Sequence, residues 1–268
     1  MEYNIKISFE LNTFKNSSEA YNMVKDIFSF KITHFYTTSK NVAQDYNEIE
    51  LINFLKNNND NFFMLGGEIK EDDFEKIIFK REHPIFNLEC VSINVRRLED
   101  VNFDLLINRI QDNNFCTAFI TNNEKSRWQN QIFVNQFDIF NRPYTFVKRK
   151  PNFMSSNQSA GDMIDIFYNP GHERIVYGMQ IMAAPEMWFG KKALELFNKN
   201  DLLSFRNAIE IKELENGVIY VKLFDFNELD WEIPKILNIQ KEFRTWSRMD
   251  EIESILREKI PNHNKMLN

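Results

Sequence analysis

YNIKISFEL, residues 3–11, alternates apolar and polar side chains. Every second position is apolar: Ile5, Ile7, Phe9 and Leu11. Successive side chains of a β-strand point to opposite faces of the sheet, so this alternation predicts a strand with one buried and one polar face. The fold therefore begins with a half-covered sheet.

Strand-like and helix-like segments continue through the first 150 residues. Apolar runs predict strands at 32–37, 85–95 and 115–121. Apolar residues spaced three and four apart predict helices at 17–28, 48–56, 101–110 and 124–140. Residues 72–79 fit either a helix or a strand.

Turn signals dominate the pattern after residue 162. Asn169-Pro170-Gly171 separates two strand-like runs, 163–168 and 174–182, and predicts a hairpin. Asn216-Gly217 predicts a second hairpin between 208–214 and 218–226, since Asn-Gly is the strongest short hairpin signal. Helices are predicted at 191–198, 233–243 and 249–260. Together the segments predict an α+β fold with mixed or antiparallel sheets and flanking helices.

A polar segment rich in small residues, 151–161, is the best linker candidate. It permits two organisations. The chain forms two similar-sized α+β lobes, residues 1–150 and 162–268, or one domain with a long loop at this point. Both organisations agree with ordinary domain sizes.

Composition indicates a well-ordered globular protein. The chain has 268 residues, of which 43% are hydrophobic, with 26 Phe against 7 Gly. Its many Asn, Ile, Lys and Phe residues are typical of an AT-rich bacterial genome. The first residues lack a signal-peptide pattern and no run reaches 18 apolar residues, so we expect a cytoplasmic protein with no membrane partner.

The residue types that carry most metal and cofactor chemistry are scattered. The four histidines, which are His34, His83, His172 and His263, form no metal-ligand spacing. Cys90 and Cys116 lie in separate apolar segments and are expected to be reduced. No glycine-rich phosphate loop or nucleophile elbow is present. We therefore expect no metal, no cofactor and no enzymatic activity.

One segment nevertheless permits an enzymatic hypothesis. Asp162, Asp165 and His172 lie close in sequence around the Asn169-Pro170-Gly171 turn. Two carboxylates and an imidazole are sufficient for acid–base chemistry or a divalent metal. A hydrolase or nuclease that uses these residues is therefore the alternative to a binding protein.

An acidic stretch gives the chain its most uneven charge. The formal net charge is −6, which argues against general nucleic-acid binding. Between Asp45 and Glu75 many carboxylates face only Lys56 and Lys70. Such a surface steers a basic protein partner, and its candidate contact residues are Asp45, Glu48, Glu68, Glu71, Asp72 and Asp73. An ordinary solvated acidic surface is the alternative interpretation.

MAAPEMWFG, residues 182–190, is the most distinctive segment. Small residues and a proline precede two large aromatic residues, between a predicted strand and a predicted helix. This order is typical of a structural corner, in which Trp188 and Phe189 pack the turn and Gly190 frees the helix entry. The alternative is that Trp188 and Phe189 anchor a protein partner.

MAAPEMWFG, the Asn216-Gly217 hairpin and the run 221–226 together resemble α+β immunity proteins encoded beside bacterial polymorphic toxins. The resemblance spans residues 174–230, and it implies that Trp188, Phe189 and Gly190 are fold positions. It also implies a stoichiometric inhibitor that binds a cognate toxin made by the same cell. A structural or phage-defence accessory subunit is a third hypothesis.

Overall fold

A ten-stranded sheet lies at the centre of the computed structural model, which describes residues 2–57, 61–67, 75–82, 85–111, 114–144, 147–151, 162–226 and 234–261. The strands are β1 (Tyr3–Glu10), β2 (His34–Thr37), β3 (Lys40–Asp45), β4 (Phe62–Gly66), β5 (Lys76–Glu82), β6 (Leu88–Val95), β7 (Phe115–Asn122), β8 (Arg149–Pro151), β9 (Asp162–Ile164), β10 (Arg174–Val176), β11 (Met179–Ile181), β12 (Glu186–Phe189), β13 (Glu210–Glu213) and β14 (Ile219–Lys222). The helices are α1 (Ser17–Val24), α2 (Glu48–Asn57), α3 (Phe103–Gln111), α4 (Asn123–Gln129), α5 (Val134–Ile139), α6 (Lys199–Ser204), α7 (Pro234–Trp246) and α8 (Met249–Glu258).

The large sheet has the strand order β13-β14-β12-β7-β1-β6-β5-β4-β2-β3. Every neighbouring pair in it is antiparallel. β1 lies inside the sheet, where Ile7 is opposite both Val91 of β6 and Ala118 of β7. The two smaller sheets are the pairs β8-β9 and β10-β11. The predicted α+β class is confirmed.

Helices α1, α2 and α3 cover one face of the sheet. The apolar positions of β1 point to this face, as their alternation predicts. The helices add Ala20, Val24, Leu51, Leu55, Leu106 and Ile110 to this first core. Asn16 caps α1, since its side-chain oxygen accepts hydrogen bonds from the backbone N–H groups of Ser18 and Glu19 at 3.1 and 3.3 Å.

The opposite face is covered at the other end of the sheet by the hairpin β10-β11 and helices α7 and α8. Their apolar residues form a second core with Phe119, Met187, Phe189, Ile219 and Val221. The neighbours Trp188 and Tyr220 belong to the first core instead. Strands β12 and β14 are therefore buried on both faces.

The sheet runs across the predicted division between residues 1–150 and 162–268. β12 pairs with β7, with Trp188 opposite Ala118, so strands from both predicted lobes share one sheet. The predicted linker lies outside the described residues except for Pro151.

The hairpin predicted between 163–168 and 174–182 is wrong. β9 pairs with β8 instead, and residues 166–168 form a 3₁₀ turn that Asp165 caps. The observed hairpin joins β10 to β11 around Gly178, whose φ of 82° favours glycine. The hairpin predicted at Asn216-Gly217 joins β13 to β14, and Gly217 has a φ of 81°.

The corner predicted at residues 182–190 is a strand. Its four residues 186–189 form β12 and pair with β7 on one side and β14 on the other. Gly190 does not open a helix. A Cβ at this position would lie 2.4 Å from the carbonyl oxygen of Phe115, so the close strand contact requires glycine here.

Three helix predictions differ in their extents. The helix predicted at 17–28 ends at Val24. The helix predicted at 124–140 is two helices, α4 and α5, separated at residues 130–133. The helix predicted at 191–198 is a 3₁₀ turn at Ala193–Glu195, followed by α6. α7 and α8 lie close to their predicted ranges.

Candidate functional site

An open groove of about 660 Å³ lies on the first face of the sheet, between α3 and the strands β12, β14 and β13. Its walls combine aromatic, aliphatic and charged side chains: Phe103, Asp104, Ile107, Asn108, Glu186, Trp188, Lys212, Leu214 and Tyr220. We call this feature the aromatic groove.

Strand register builds the floor of the aromatic groove. Trp188 of β12 is opposite Tyr220 of β14, and Tyr220 is opposite Lys212 of β13. Directly opposite residues share a face, so the three side chains form one row across the strands. Glu186 lies two residues before Trp188 and points to the same face.

Aromatic contacts hold this row in place. The Trp188 and Tyr220 ring centroids are 5.1 Å apart. Phe103, from the first turn of α3, lies nearly parallel to Trp188, with an interplanar angle of 9° and a centroid distance of 6.4 Å. Trp188 is only 7% exposed. The floor is therefore rigid, because two strands and a helix fix its rings.

Glu186 is a half-buried carboxylate beside these rings. Burial raises its pKa above the ordinary value, although a hydrogen bond from the Tyr220 hydroxyl and the charge of Lys222 oppose the rise. Burial also raises the pKa of Tyr220, and the charge of Glu186 adds to this effect. The Tyr220 hydroxyl therefore remains a hydrogen-bond donor to Glu186 at neutral pH.

The two lysines near Glu186 bind other carboxylates. Lys222 is opposite Glu186 in register, but its Nζ lies 3.0 Å from Asp225. Lys212 Nζ lies 2.8 Å from Glu210 and 5.1 Å from the centroid of the Tyr220 ring. Within the described ranges, no ammonium or guanidinium lies at ion-pair distance from Glu186.

The aromatic groove suits recognition more than covalent chemistry. The described lining residues include no histidine, cysteine or serine. They offer ring faces, a half-buried carboxylate and the exposed carboxylate of Asp104. Ring faces together with carboxylates attract a cation.

The acidic residues predicted as partner contacts lie elsewhere. Asp45 ends β3 and Glu48 begins α2, and both are exposed. Glu48 accepts a hydrogen bond from the Tyr21 hydroxyl at 3.1 Å and lies 3.4 Å from Lys25 Nζ. The other four candidates, Glu68, Glu71, Asp72 and Asp73, lie outside the described residues.

Large exposed apolar side chains accompany these carboxylates. Val42 of β3 is 68% exposed and Ile49 of α2 is 73% exposed.

β3 is the last strand of the sheet, and β12 is seven strands away. At about 4.8 Å per strand, Asp45 and Trp188 are roughly 30 Å apart along the sheet. Of the predicted acidic contacts, the described residues Asp45 and Glu48 therefore do not lie near Trp188.

Trp188 and Phe189 point in opposite directions from β12. Trp188 forms the floor of the aromatic groove. Phe189 faces the second core, where its ring contacts Phe197 and Phe243 at centroid distances of 5.0 and 6.3 Å. Of the two predicted aromatic anchors, only Trp188 lines a surface groove.

Two of the three residues of the enzymatic hypothesis, Asp165 and His172, serve local structure. Asp165 lies 3.3 Å from Lys150 Nζ and caps the 3₁₀ turn. His172 is fully buried, with Nδ1 against the carbonyl oxygen of Asn169. Asp162, on β9, is exposed. A separate cleft lies around Trp246, between α6 and α7. None of the three residues lines this cleft or the aromatic groove.

A buried ion cluster joins the elements of the second face. The two oxygens of Glu253 in α8 lie 2.6 Å from Arg174 Nε of β10 and 3.0 Å from Arg244 Nη2 of α7. Burial lowers the pKa of Arg174 to about 10, although the charge of Glu253 opposes this change. The cluster holds the layer that packs behind β12 and β14.

Sequence reasoning missed Phe103, Glu186, Lys212 and Tyr220 as groove residues. The sequence contained one usable signal, since Glu186 and Trp188 are two residues apart and share a face in any strand. The register that joins them to Tyr220 and Lys212 depends on strand order, which no local pattern specifies.

Comparisons with known proteins provide little further information. No protein-family model and no curated protein matches the chain. A chain in the crystal structure of the toxic C-terminal tip of CdiA from Pseudomonas aeruginosa in complex with immune protein is similar over 46% of this chain and 88% of that chain. The sequence identity is 14% and the TM-score is 0.23, and a likeness this low establishes no shared function.

No helix among the described residues is long and apolar enough to cross a membrane. No group of three or more His, Cys, Asp or Glu side chains in the same ranges is placed to hold a metal ion.

Proposed function

We propose that this protein is a non-enzymatic immunity protein, which binds a cognate protein toxin and neutralises it. The observation that carries the proposal is the aromatic groove. Trp188 and Tyr220 form its preformed floor, and Glu186 and Asp104 supply negative charge. Binding hot spots combine such rigid aromatic residues with charged groups that become desolvated.

The position of the groove favours a macromolecular partner. The groove is open, and it is bounded by an exposed strand at the end of the sheet and by a surface helix. A protein loop has room to enter it from solvent. The net charge of −6 favours a basic partner, because opposite charges accelerate association.

The acidic residues at the far end of the sheet contribute at long range. Asp45 and Glu50 are exposed, so they add to the negative field without being buried in the aromatic groove. Long-range charge raises the association rate more than it lowers the dissociation rate.

Co-expression tests the proposal. The toxin domain encoded beside this gene is expressed in cells with and without this protein, and survival is counted. We expect the wild-type protein to restore growth and to form a stable complex with the purified toxin domain. Continued killing together with the absence of a complex would show that the proposal is wrong.

A matched pair of variants localises the contact. Asp104→Lys reverses a charge inside the aromatic groove, and Glu99→Lys makes the same change on an exposed residue outside it. We expect Asp104→Lys to lose protection and Glu99→Lys to keep it. Equal protection by both variants would place the contact elsewhere.

A further inference from the structure

Among the residues that the structure describes, no cation lies at ion-pair distance from Glu186 on the floor of the aromatic groove. Its carboxylate is half-buried and accepts a hydrogen bond from the Tyr220 hydroxyl. Lys222, whose charge acts on Glu186, pairs with Asp225 at 3.0 Å, and Lys212 pairs with Glu210 at 2.8 Å. A cationic ligand that reaches Glu186 would pair directly with this half-buried carboxylate, which no described cation contacts.

The rings beside Glu186 also favour a cation. Lys212 Nζ already lies 5.1 Å from the centroid of the Tyr220 ring, which is within cation–π range. Trp188 presents the small exposed part of its indole to the groove, and indole is the aromatic group that attracts cations most strongly. An apolar ligand would gain from the rings but would leave Glu186 buried and uncompensated.

A guanidinium suits a site with a carboxylate beside aromatic rings better than an ammonium does. It is planar, so it stacks on an aromatic face, and its parallel N–H groups bind both oxygens of one carboxylate. An ammonium provides a point charge without a stacking plane. Asp104 at the groove wall adds a second negative charge.

We propose that the aromatic groove binds an arginine side chain of the partner protein, with the guanidinium paired to Glu186 and stacked beside Trp188 and Tyr220. This inference rests on the proposed function for the identity of the partner. The site itself is a property of this chain alone, so it is testable without the toxin.

The first experiment uses a small arginine probe. N-acetyl-arginine methylamide is titrated into the full chain, and N-acetyl-citrulline methylamide is the neutral control of the same shape. The readout is the chemical shift of the Trp188 indole N–H, assigned with Trp188→Phe. We expect saturable shifts with the arginine probe and at least tenfold weaker binding of the citrulline probe.

Two conservative variants test the role of Glu186. Glu186→Gln keeps the shape and removes the charge, and we expect it to weaken the arginine probe roughly tenfold. Glu213→Gln, on β13, is the control, because Glu213 lies on the other face of that strand and binds Lys199 at 2.6 Å. Equal binding of both probes, or unchanged binding by Glu186→Gln, would overturn the inference.

The second experiment separates this inference from the proposed function. In the complex with the toxin domain, we expect Glu186→Gln to raise the Kd at least 30-fold, because it leaves a desolvated guanidinium unpaired. A toxin complex with an unchanged Kd would overturn the arginine site and keep the proposed function. Probe binding without any toxin complex would keep the site and overturn the proposed function.

Discussion

The two ends of the sheet expose their carboxylates to water very differently. At the groove end, which consists of β12, β14, β13 and α3, Glu186 is half-buried among aromatic rings. At the acidic end, which consists of β3 and α2, Asp45 and Glu50 are exposed to solvent. Water and salt screen exposed charges strongly, whereas they screen a half-buried charge less.

This difference assigns different physical roles to the two ends. A desolvated contact at the groove end is short-range and determines how long a partner stays bound. The exposed charges of the acidic end act over a Debye length and determine how fast a partner arrives. Equal numbers of carboxylates therefore do not imply equal contributions to affinity.

The largest expected effects are on stability. Phe189 at the groove end and Phe63 toward the acidic end are both buried, so Phe→Ala at either position is expected to cost about 3–5 kcal/mol. Because one sheet joins both ends, we expect each variant to shift a single unfolding transition. Urea unfolding followed by circular dichroism and tryptophan fluorescence measures this. Two separate transitions, each shifted by one variant, would support two independent lobes.

The buried ion pairs should differ in strength. Glu253→Gln leaves the buried guanidinium of Arg174 without a counter-charge and leaves Arg244 with Asp250 alone, and it is expected to cost about 3–5 kcal/mol. Glu89→Gln leaves only one guanidinium, that of Arg81, without its counter-charge. The expected loss of stability is therefore smaller, about 1–3 kcal/mol. The free energy of unfolding in urea checks the order. A larger loss for Glu89→Gln would contradict it.

Charge reversal at the acidic end should change kinetics alone. Asp45→Lys with Glu50→Lys is expected to lower the association rate of a basic toxin roughly tenfold at low salt. The dissociation rate should stay unchanged, whereas Glu186→Gln should raise it. Surface plasmon resonance at low and high salt separates the two rates. A faster dissociation of the Asp45 and Glu50 variant would place the acidic end in the contact.

The smallest expected effect is the pH dependence of Glu186. Its pKa is raised in the folded protein, and the charged groups around it are Lys222, Glu210 and Asp225. The folded state therefore holds a proton that the unfolded state loses, so stability falls as pH rises from about 4.5 through the folded pKa.

Glu186→Gln removes this titration. We expect the variant to be more stable than the wild type at pH 7 by less than about 1 kcal/mol, since the carboxylate is only half-buried and solvent screens it. Below pH 4.5 the difference should vanish. Thermal unfolding across this pH range measures it, and a variant that is less stable at pH 7 would show that burial does not destabilise the charged form.

Local patterns predicted the elements that have one buried face or a distinctive turn. β1 alternates because only one of its faces meets the helices, and the β13-β14 hairpin has the Asn216-Gly217 turn. β12 was missed because it is only four residues long and lacks the alternation, whereas the eight-residue β7, which is also buried on both faces, was predicted from its long apolar run. β3 was missed because it is an exposed edge strand with mostly polar residues. The alternation of apolar and polar residues reflects burial of one face of a strand. It therefore identifies a strand only when one face is buried and the other is exposed.

The candidate site was predicted only in part. Trp188 was identified from its unusual neighbours in residues 182–190, but its role as the floor of a groove depends on Phe103, Tyr220 and Lys212. These residues come from three other elements. The acidic residues Asp45 and Glu48 were predicted to share a surface with Trp188, and strand order places them at the other end of the sheet.

The sequence alone determined the α+β class, the one-sided burial of β1, the hairpin at Asn216-Gly217 and the two C-terminal helices. Each of these follows from neighbours within a few residues, where propensity and periodicity act. Only the tertiary structure decided that Glu186, Trp188, Tyr220 and Lys212 meet. Their meeting depends on hydrogen bonds between strands that are distant in the chain. Because backbone hydrogen bonds do not depend on side-chain identity, a local sequence does not determine which side chains they align.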